Sequence, residues 1–279
     1  MSPLPFQVPA AEAPFVMLAG AAEHGRRPLR VMFDTGDATP FIVIVGPRVA
    51  AAAEARPTGE PEVVIRGTAG GAPARFSPAR MPDFRLGPIA LAGVSTGVSQ
   101  AVDKVSAQVP GRVDAVVGQV FALSRVVSVD YRTREVDFDA PPGPAQAALP
   151  MEIAPKRPLS LVSATIDGRG PFRMVVDTGA VLTLVSPEAA RRAGVSRAGR
   201  YVTFGGAGGT RSRGRAARTR LQVGDNAWPA ADLVVTDILG PVAEEAGTEV
   251  DGVLGANLFG HGRLVIDYPG RRLWIERGR

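Results

Sequence analysis

Two aspartates, Asp34 and Asp177, each open the tripeptide Asp-Thr-Gly, and each stands at the end of an apolar run that reads as a strand, residues 29–33 and 172–176. Two carboxyls held a few ångströms apart cannot both ionise easily, so one proton is kept between them and the pair titrates as a unit. Such a pair can take a proton from a water molecule with one group and give one to a carbonyl oxygen with the other. That is the chemistry amide hydrolysis requires when neither a metal nor a covalent nucleophile takes part. Glycine in the third position permits a tight turn, and its amide can reach the carboxylate before it.

The elements that would position these groups are duplicated. Val113-Asp114-Ala115-Val116-Val117-Gly118 has the counterpart Val250-Asp251-Gly252-Val253-Leu254-Gly255, and Val129-Asp130-Tyr131 has the counterpart Ile266-Asp267-Tyr268. The offsets are 177 − 34 = 143, 255 − 118 = 137 and 267 − 130 = 137. Ordered matches at nearly constant offset predict two structurally equivalent halves, with one net insertion of 143 − 137 = 6 residues between the first two landmarks of the amino-terminal copy.

Between the landmarks the chain is a succession of short apolar segments rich in Val, Ile and Phe and separated by Gly or Pro, the pattern of an all-β protein. Residues 15–18 and 29–33 bracket a turn containing Gly25, while 161–166 and 172–176 bracket Asp167-Gly168-Arg169-Gly170. This predicts a hairpin delivering each strand into its Asp-Thr-Gly turn. Residues 186–193 read as a short helix, with Ser186 as cap, Pro187 in the first turn and Gly194 as stop, and the alanine-rich stretch 47–55 holds the same place in the first copy. The proline-rich segment 141–150 falls between the copies, dividing the chain into residues 1–140, a linker and residues 151–279.

Composition narrows the classes. With 45% hydrophobic and 21% charged residues the chain reads as globular, and no apolar run approaches the roughly 18 residues of a membrane span. The amino terminus lacks a basic start followed by an apolar core, so no secretory signal is visible; the expectation is cytoplasmic if the chain is full length and periplasmic or secreted if a signal was removed. Absence of cysteine removes disulfides and thiolate metal sites and fits any compartment. The net charge of +5 comes from arginine, since Lys104 and Lys156 are the only lysines. Arg211, Arg213 and Arg215 alternate and would line one face of a strand, but one basic stripe without interleaved aromatic residues does not predict nucleic-acid binding.

On these residues the chain resembles the retropepsin-like aspartic proteases, as two fused copies forming a short relative of the two-lobed pepsin arrangement. The resemblance covers most of the chain and is carried by the Asp-Thr-Gly turns, by Val116-Val117-Gly118 and Val253-Leu254-Gly255, and by the closing Asp-Tyr strands common in bacterial members. It implies an all-β fold of two similar acid-protease β-barrel lobes related by a pseudo-twofold axis, with a few short helices and a central cleft. It further implies an aspartic-type endopeptidase with Asp34 and Asp177 as catalytic dyad, a polypeptide substrate and no metal or cofactor. A single chain would then suffice as a monomer, because its halves supply what retropepsins obtain by dimerising. Thr35, Gly36, Thr178 and Gly179 would be the dyad's scaffold, the threonine hydroxyls bonding across to the opposite loop, with the Gly118 and Gly255 segments passing beneath. Over the cleft the family places a glycine-rich hairpin. Gly205, Gly206, Ala207 and Gly208 are the best match, with Gly70 and Gly71 in the counterpart, although ordinary surface turns would read the same way and neither segment has the tyrosine typical of pepsin-like members.

The chain departs from the common pattern directly after each tripeptide. Many members have Ser or Thr there, whereas this chain has Asp37 and Ala180. Alanine donates nothing, and an ionised Asp37 would disfavour a second negative charge, so the dyad is expected to keep its proton to higher pH, with activity persisting toward neutrality. Asp37 could equally spoil turnover, leaving a catalytically silent peptide-binding module with the same fold. Asp114 and Asp251 are expected to hold turns, and arginines of a closing second flap would lie near the cleft. His24 and His261 are too few for a zinc site and lack a nucleophile elbow for a serine triad, and no glycine-rich run ends like a phosphate loop. Near-symmetry hides which aspartate holds the proton.

Overall fold

In the computed structural model residues 2–22, 26–66, 73–196, 199–205 and 211–278 are described. The fold is all-β with a few short helices, and the two copies run through the same elements in the same order. Each begins with an antiparallel hairpin, Val16–Ala22 with Arg27–Phe33 and Ser160–Ile166 with Arg169–Val176. The second hairpin turns on Asp167 and Gly168, both at positive φ (50° and 73°), as an Asp-Gly turn between twisted strands requires; the Gly25 turn of the first lies outside the described residues.

The last strand of each hairpin is buried among short apolar strands. Arg27–Phe33 pairs in parallel with Ala115–Val117, which pairs antiparallel with Val43–Val45. Arg169–Val176 stands in the same relation to Gly252–Leu254 and Thr183–Val185. Every residue of these four short strands is buried, which explains their continuous rather than alternating hydrophobicity. A long hairpin wraps each set, Ala74–Leu86 with Ile89–Val98 and Arg211–Val223 with Asn226–Val235.

Strand positions resolve the offset between copies into two steps. It is 143 at the Asp-Thr-Gly turns, 183 − 43 = 140 at the next strand and 211 − 74 = 137 at the long hairpin. The expected single insertion is therefore two three-residue additions in the first copy, one after Asp37 and one ahead of the long hairpin. Pro187–Ala193 is capped as expected, Ser186 accepting from the Ala189 amide and Gly194 closing at φ 73°. Its counterpart is confined to Pro47–Ala52, without a side-chain cap.

The copies meet in a six-stranded antiparallel layer. Val126–Asp130 pairs with Arg263–Asp267 at its centre, flanked by Glu135–Asp137 and Arg272–Glu276, with Leu4–Gln7 and Leu149–Pro150 at the edges. Ser128 lies directly opposite Val265, and 265 − 128 = 137. A residue paired with its own equivalent marks a pseudo-twofold axis. Leu149–Pro150, in the segment expected as linker, adds an edge strand to this layer. The apolar interior runs from one lobe into the other; in the first, Phe138 packs edge-on against Phe33 and Phe121 at 5.3 and 5.1 Å, and each such buried ring contributes about 1.5–3 kcal/mol.

Candidate active site

Both Asp-Thr-Gly turns leave a parallel strand pair and meet on the axis. Gly36 and Gly179 each donate their amide to the carboxyl two residues back, Asp34 Oδ1 at 2.8 Å and Asp177 Oδ1 at 2.7 Å. The threonines interlock. Thr35 N donates to Thr178 Oγ1 and Thr178 N to Thr35 Oγ1, both at 3.0 Å, while each hydroxyl donates onward to a strand carbonyl of the opposite copy, Val176 and Phe33, both at 2.9 Å. Thr35 and Thr178 are fully buried, so these four bonds are shielded from competing water. A Cβ on Gly36 would overlap the Asp177 carboxyl and one on Gly179 the Asp34 carboxyl, so each glycine makes room for the other copy's acid.

The two carboxyls stand together on the axis, each packed against the opposite turn's glycine, and each acts on the other's ionisation. Burial raises both above the ordinary aspartate range. The amides of Gly36 and Asp37 hold Asp34 back and those of Gly179 and Ala180 hold Asp177 back, while the charge of Asp34 raises Asp177 further. A third carboxyl stands beside them. Asp37 is pushed up to about 7 by burial and the neighbouring Asp34, against bonds from Thr39 N at 3.0 Å and Thr39 Oγ1 at 3.3 Å and the field of Arg157. The negative charge that an ionised Asp37 would bring beside the dyad therefore forms only near neutrality.

Gly118 and Gly255 lie against the turns as expected. An added Cβ would come within 2.6 Å of Asp37 O at Gly118 and within 2.5 Å of Leu182 O at Gly255. Asp114 and Asp251 accept the amides of Arg30 and Arg173 at 2.9 and 2.8 Å, a structural role. Sequence reasoning missed Gln119, a fully buried glutamine that donates to the Thr35 carbonyl at 2.7 Å. Its signal was present, since it replaces Ala256 at an equivalent core position (256 − 119 = 137).

A cleft of about 440 Å³ opens above the turns, lined by both copies. Phe15, Ile44 and Phe76 face it from the first and Leu159, Leu184 and Val242 from the second, with Asp34, Asp37 and Asp177 at its floor. Of the residues expected at the flaps, Gly206, Ala207, Gly208, Gly70 and Gly71 lie outside the described residues. Gly205 lines the cleft and packs on Gln108 of the first copy. The strand Val63–Ile65 is tied to the second copy by Arg66–Glu244 at 2.7 Å and by Arg157, which pairs with Glu245 at 2.8 Å and donates to Val64 O at 3.4 Å. The arginines of the second flap do not line the cleft. Phe204, opposite Ser212, faces it, so the period-two alternation puts Arg213 and Arg215, opposite Thr203 and Tyr201, on the other face, where they stack on the Tyr201 ring at 4.6 and 3.8 Å.

Comparison with known proteins agrees with this architecture. Residues 162–258 match the family model described as aspartyl protease. No curated protein matches the chain. Among solved structures, the aspartic proteinase from Irpex lacteus superposes with a TM-score of 0.57 over 99% of this chain and 97% of that one, at 12% sequence identity. The fold is that of the acid proteases, and the matched family model supports a protease. Among the described residues no helix is long and apolar enough to cross a membrane.

Proposed function

We propose that the chain is an aspartic endopeptidase in which Asp34 and Asp177 activate a water molecule against a peptide carbonyl. The observation that carries this reading is the pair of adjoining carboxyls on interlocked turns, one from each copy, at the floor of a shared apolar cleft. Water held between the carboxyls gives a proton to the ionised one while its oxygen bonds to the carbonyl carbon. The protonated carboxyl gives its proton to the carbonyl oxygen, forming a tetrahedral gem-diol. The carboxyl that took the water's proton passes it to the nitrogen, the C–N bond breaks, and the second diol proton returns to the dyad. Both lobes contribute to one site, so a single chain suffices; residues 1–140 and 151–279 serve as the lobes and 141–150 as their connection.

The test is cleavage of an unfolded protein across a pH series, with Asp34→Ala and Asp177→Ala as controls. Cleavage that persists in either variant overturns the reading. A second reading, a silent peptide-binding module, is favoured by one feature, the carboxyl of Asp37 beside Asp34. Such a module would bind a statine-type inhibitor with no turnover at any pH.

A further inference from the structure

Gln119 opens the short helix Gln119–Ala122 behind the first Asp-Thr-Gly turn. Its Nε2 donates to the Thr35 carbonyl at 2.7 Å and to Ser160 Oγ at 3.1 Å, and Ser160 Oγ donates back to Gln119 Oε1 at 3.3 Å. Tyr268, buried in the inter-lobe layer, stands beside Ser160. Gln119 of the first copy, held by Ser160 of the second, thus braces the first turn from behind. The second turn has nothing equivalent. Ala256 replaces Gln119, and no described side chain donates to the Thr178 carbonyl; Tyr131 and its equivalent Tyr268 (268 − 131 = 137) are alike in having buried hydroxyls without a partner, so the difference between the turns lies at Gln119.

The consequence follows from the geometry of one peptide unit. The Thr35 carbonyl that accepts from Gln119 and the Gly36 N–H that donates to Asp34 Oδ1 at 2.8 Å belong to the same amide. A donor on the oxygen polarises the amide, fixes its plane and strengthens its N–H as a donor, by roughly 10–30% per linked bond. Thr178–Gly179 makes the same N–H bond to Asp177 but has no donor on its oxygen. We propose that Gln119 is a positioning residue that makes the two carboxyls unequal, holding Asp34 as the ionised member and leaving the shared proton on Asp177.

Other groups act on the balance. Asp34 faces Asp177 from the opposite turn, Asp37 from its own and Tyr268 from the inter-lobe layer; Asp177 faces Asp34 and Tyr131; Arg157 faces Asp37. Burial keeps both tyrosines neutral. An ionised Asp37 would oppose the brace by repelling charge from Asp34, but only near and above about 7. In the acid range the brace prevails.

In catalysis the inference rests on the aspartic-peptidase reading, but the titration of the pair can be read without turnover. The experiment is a carboxyl-carbon NMR titration of aspartate-labelled protein, with signals assigned by Asp34→Asn and Asp177→Asn, run alongside the pH profile of kcat/KM. In the wild type the first of the pair to ionise is Asp34. Gln119→Leu, similar in size and without a donor, raises that ionisation and the acid limb of the profile together by roughly 0.3–0.6 pH unit and lowers kcat severalfold with KM held within about twofold. Gln119→Glu, whose buried acid stays protonated in the acid range and keeps an O–H donor, restores both. If Gln119→Leu fails to fold, Ser160→Ala gives a smaller shift in the same direction. First ionisation at Asp177 in the wild type, or an Asp34 titration unmoved in both Gln119→Leu and Ser160→Ala, overturns the proposal. A wild type that shows the titration but cleaves nothing overturns the peptidase reading and leaves the brace standing.

Discussion

Replacing Asp37 by Asn removes a titration while keeping a side-chain oxygen for the Thr39 amide. The folded-state value near 7 against an ordinary 3.8 fixes the sign. Below about 3.8 the carboxyl is protonated folded and unfolded, and pH does not discriminate. Between 3.8 and about 7 the unfolded chain releases the proton while the folded protein keeps it, so stability falls as pH rises; above 7 the loss is complete. The difference, 7 − 3.8 = 3.2, corresponds to about 4 kcal/mol at about 1.36 kcal/mol per pH unit. That is a ceiling, because Asp37 is only partly buried and its neighbours titrate with it; about 2–4 kcal/mol is expected. Asp37→Asn should therefore match the wild type in urea unfolding at pH 4 and exceed it by that amount at pH 8, a melting-temperature gap of several degrees. The alkaline limb of the cleavage profile should move to lower pH in the variant, since the third negative charge that holds the shared proton on the dyad no longer forms beside Asp34. An equal stability difference at pH 4 and pH 8 would refute the reasoning, because a carboxyl that titrates alike in both states contributes no pH dependence.

Further outcomes follow from the turns and the inter-lobe ties. Thr35→Val removes two buried inter-lobe hydrogen bonds and should cost about 2–4 kcal/mol in chemical denaturation, whereas Thr35→Ser, which keeps the hydroxyl, should cost under half as much. Gly36→Ala drives a methyl group into the Asp177 carboxyl and should abolish cleavage and inhibitor binding together, measured by turnover and calorimetry; a variant that still binds would mean that the turn yields easily. Arg157→Ala breaks a partly shielded pair and a bond to the Val64 carbonyl, with an expected loss of about 1–2 kcal/mol, while Arg66→Ala removes an exposed pair worth under about 1 kcal/mol. Equal losses in these two variants would contradict the burial argument.

The duplication was legible because backbone demands recur in both copies. Asp-Thr-Gly must turn tightly against its twin, the glycines at 118 and 255 must clear a loop, and four buried strands must be apolar on both faces. What escaped were the features that differ between copies, since a repeat hides them by construction. The two three-residue additions summed to one offset and could be separated only when strand positions were known. Gln119 escaped because nothing in the linear chain shows that Thr35 and Ser160 converge on it. The arginines of the second long hairpin alternated as expected, but which face met the cleft was decided by Phe204 on the neighbouring strand.

Symmetry and chemistry pull in opposite directions at this site. Folding favours equivalence, and the backbone keeps it: Gln119 N donates to Asp37 O at 3.0 Å, and Ala256 N donates to Ala180 O at 2.8 Å, the same bond in each copy. Hydrolysis with one shared proton needs an acid and a base at the same moment, so two identical carboxyls must still act differently. The difference is placed where the scaffold does not feel it, on the side chains of those same paired residues. Asp37 against Ala180 sets a charge that appears only near neutrality, and Gln119 against Ala256 sets a donor present at every pH. The two act on Asp34 with opposite sign, so the pH at which Asp37 ionises should also be the pH at which the advantage given by Gln119 is lost. A double variant, Gln119→Leu with Asp37→Asn, should accordingly show the acid limb of the cleavage profile moved upward by the first change and the alkaline limb moved downward by the second, so that the active range narrows from both sides.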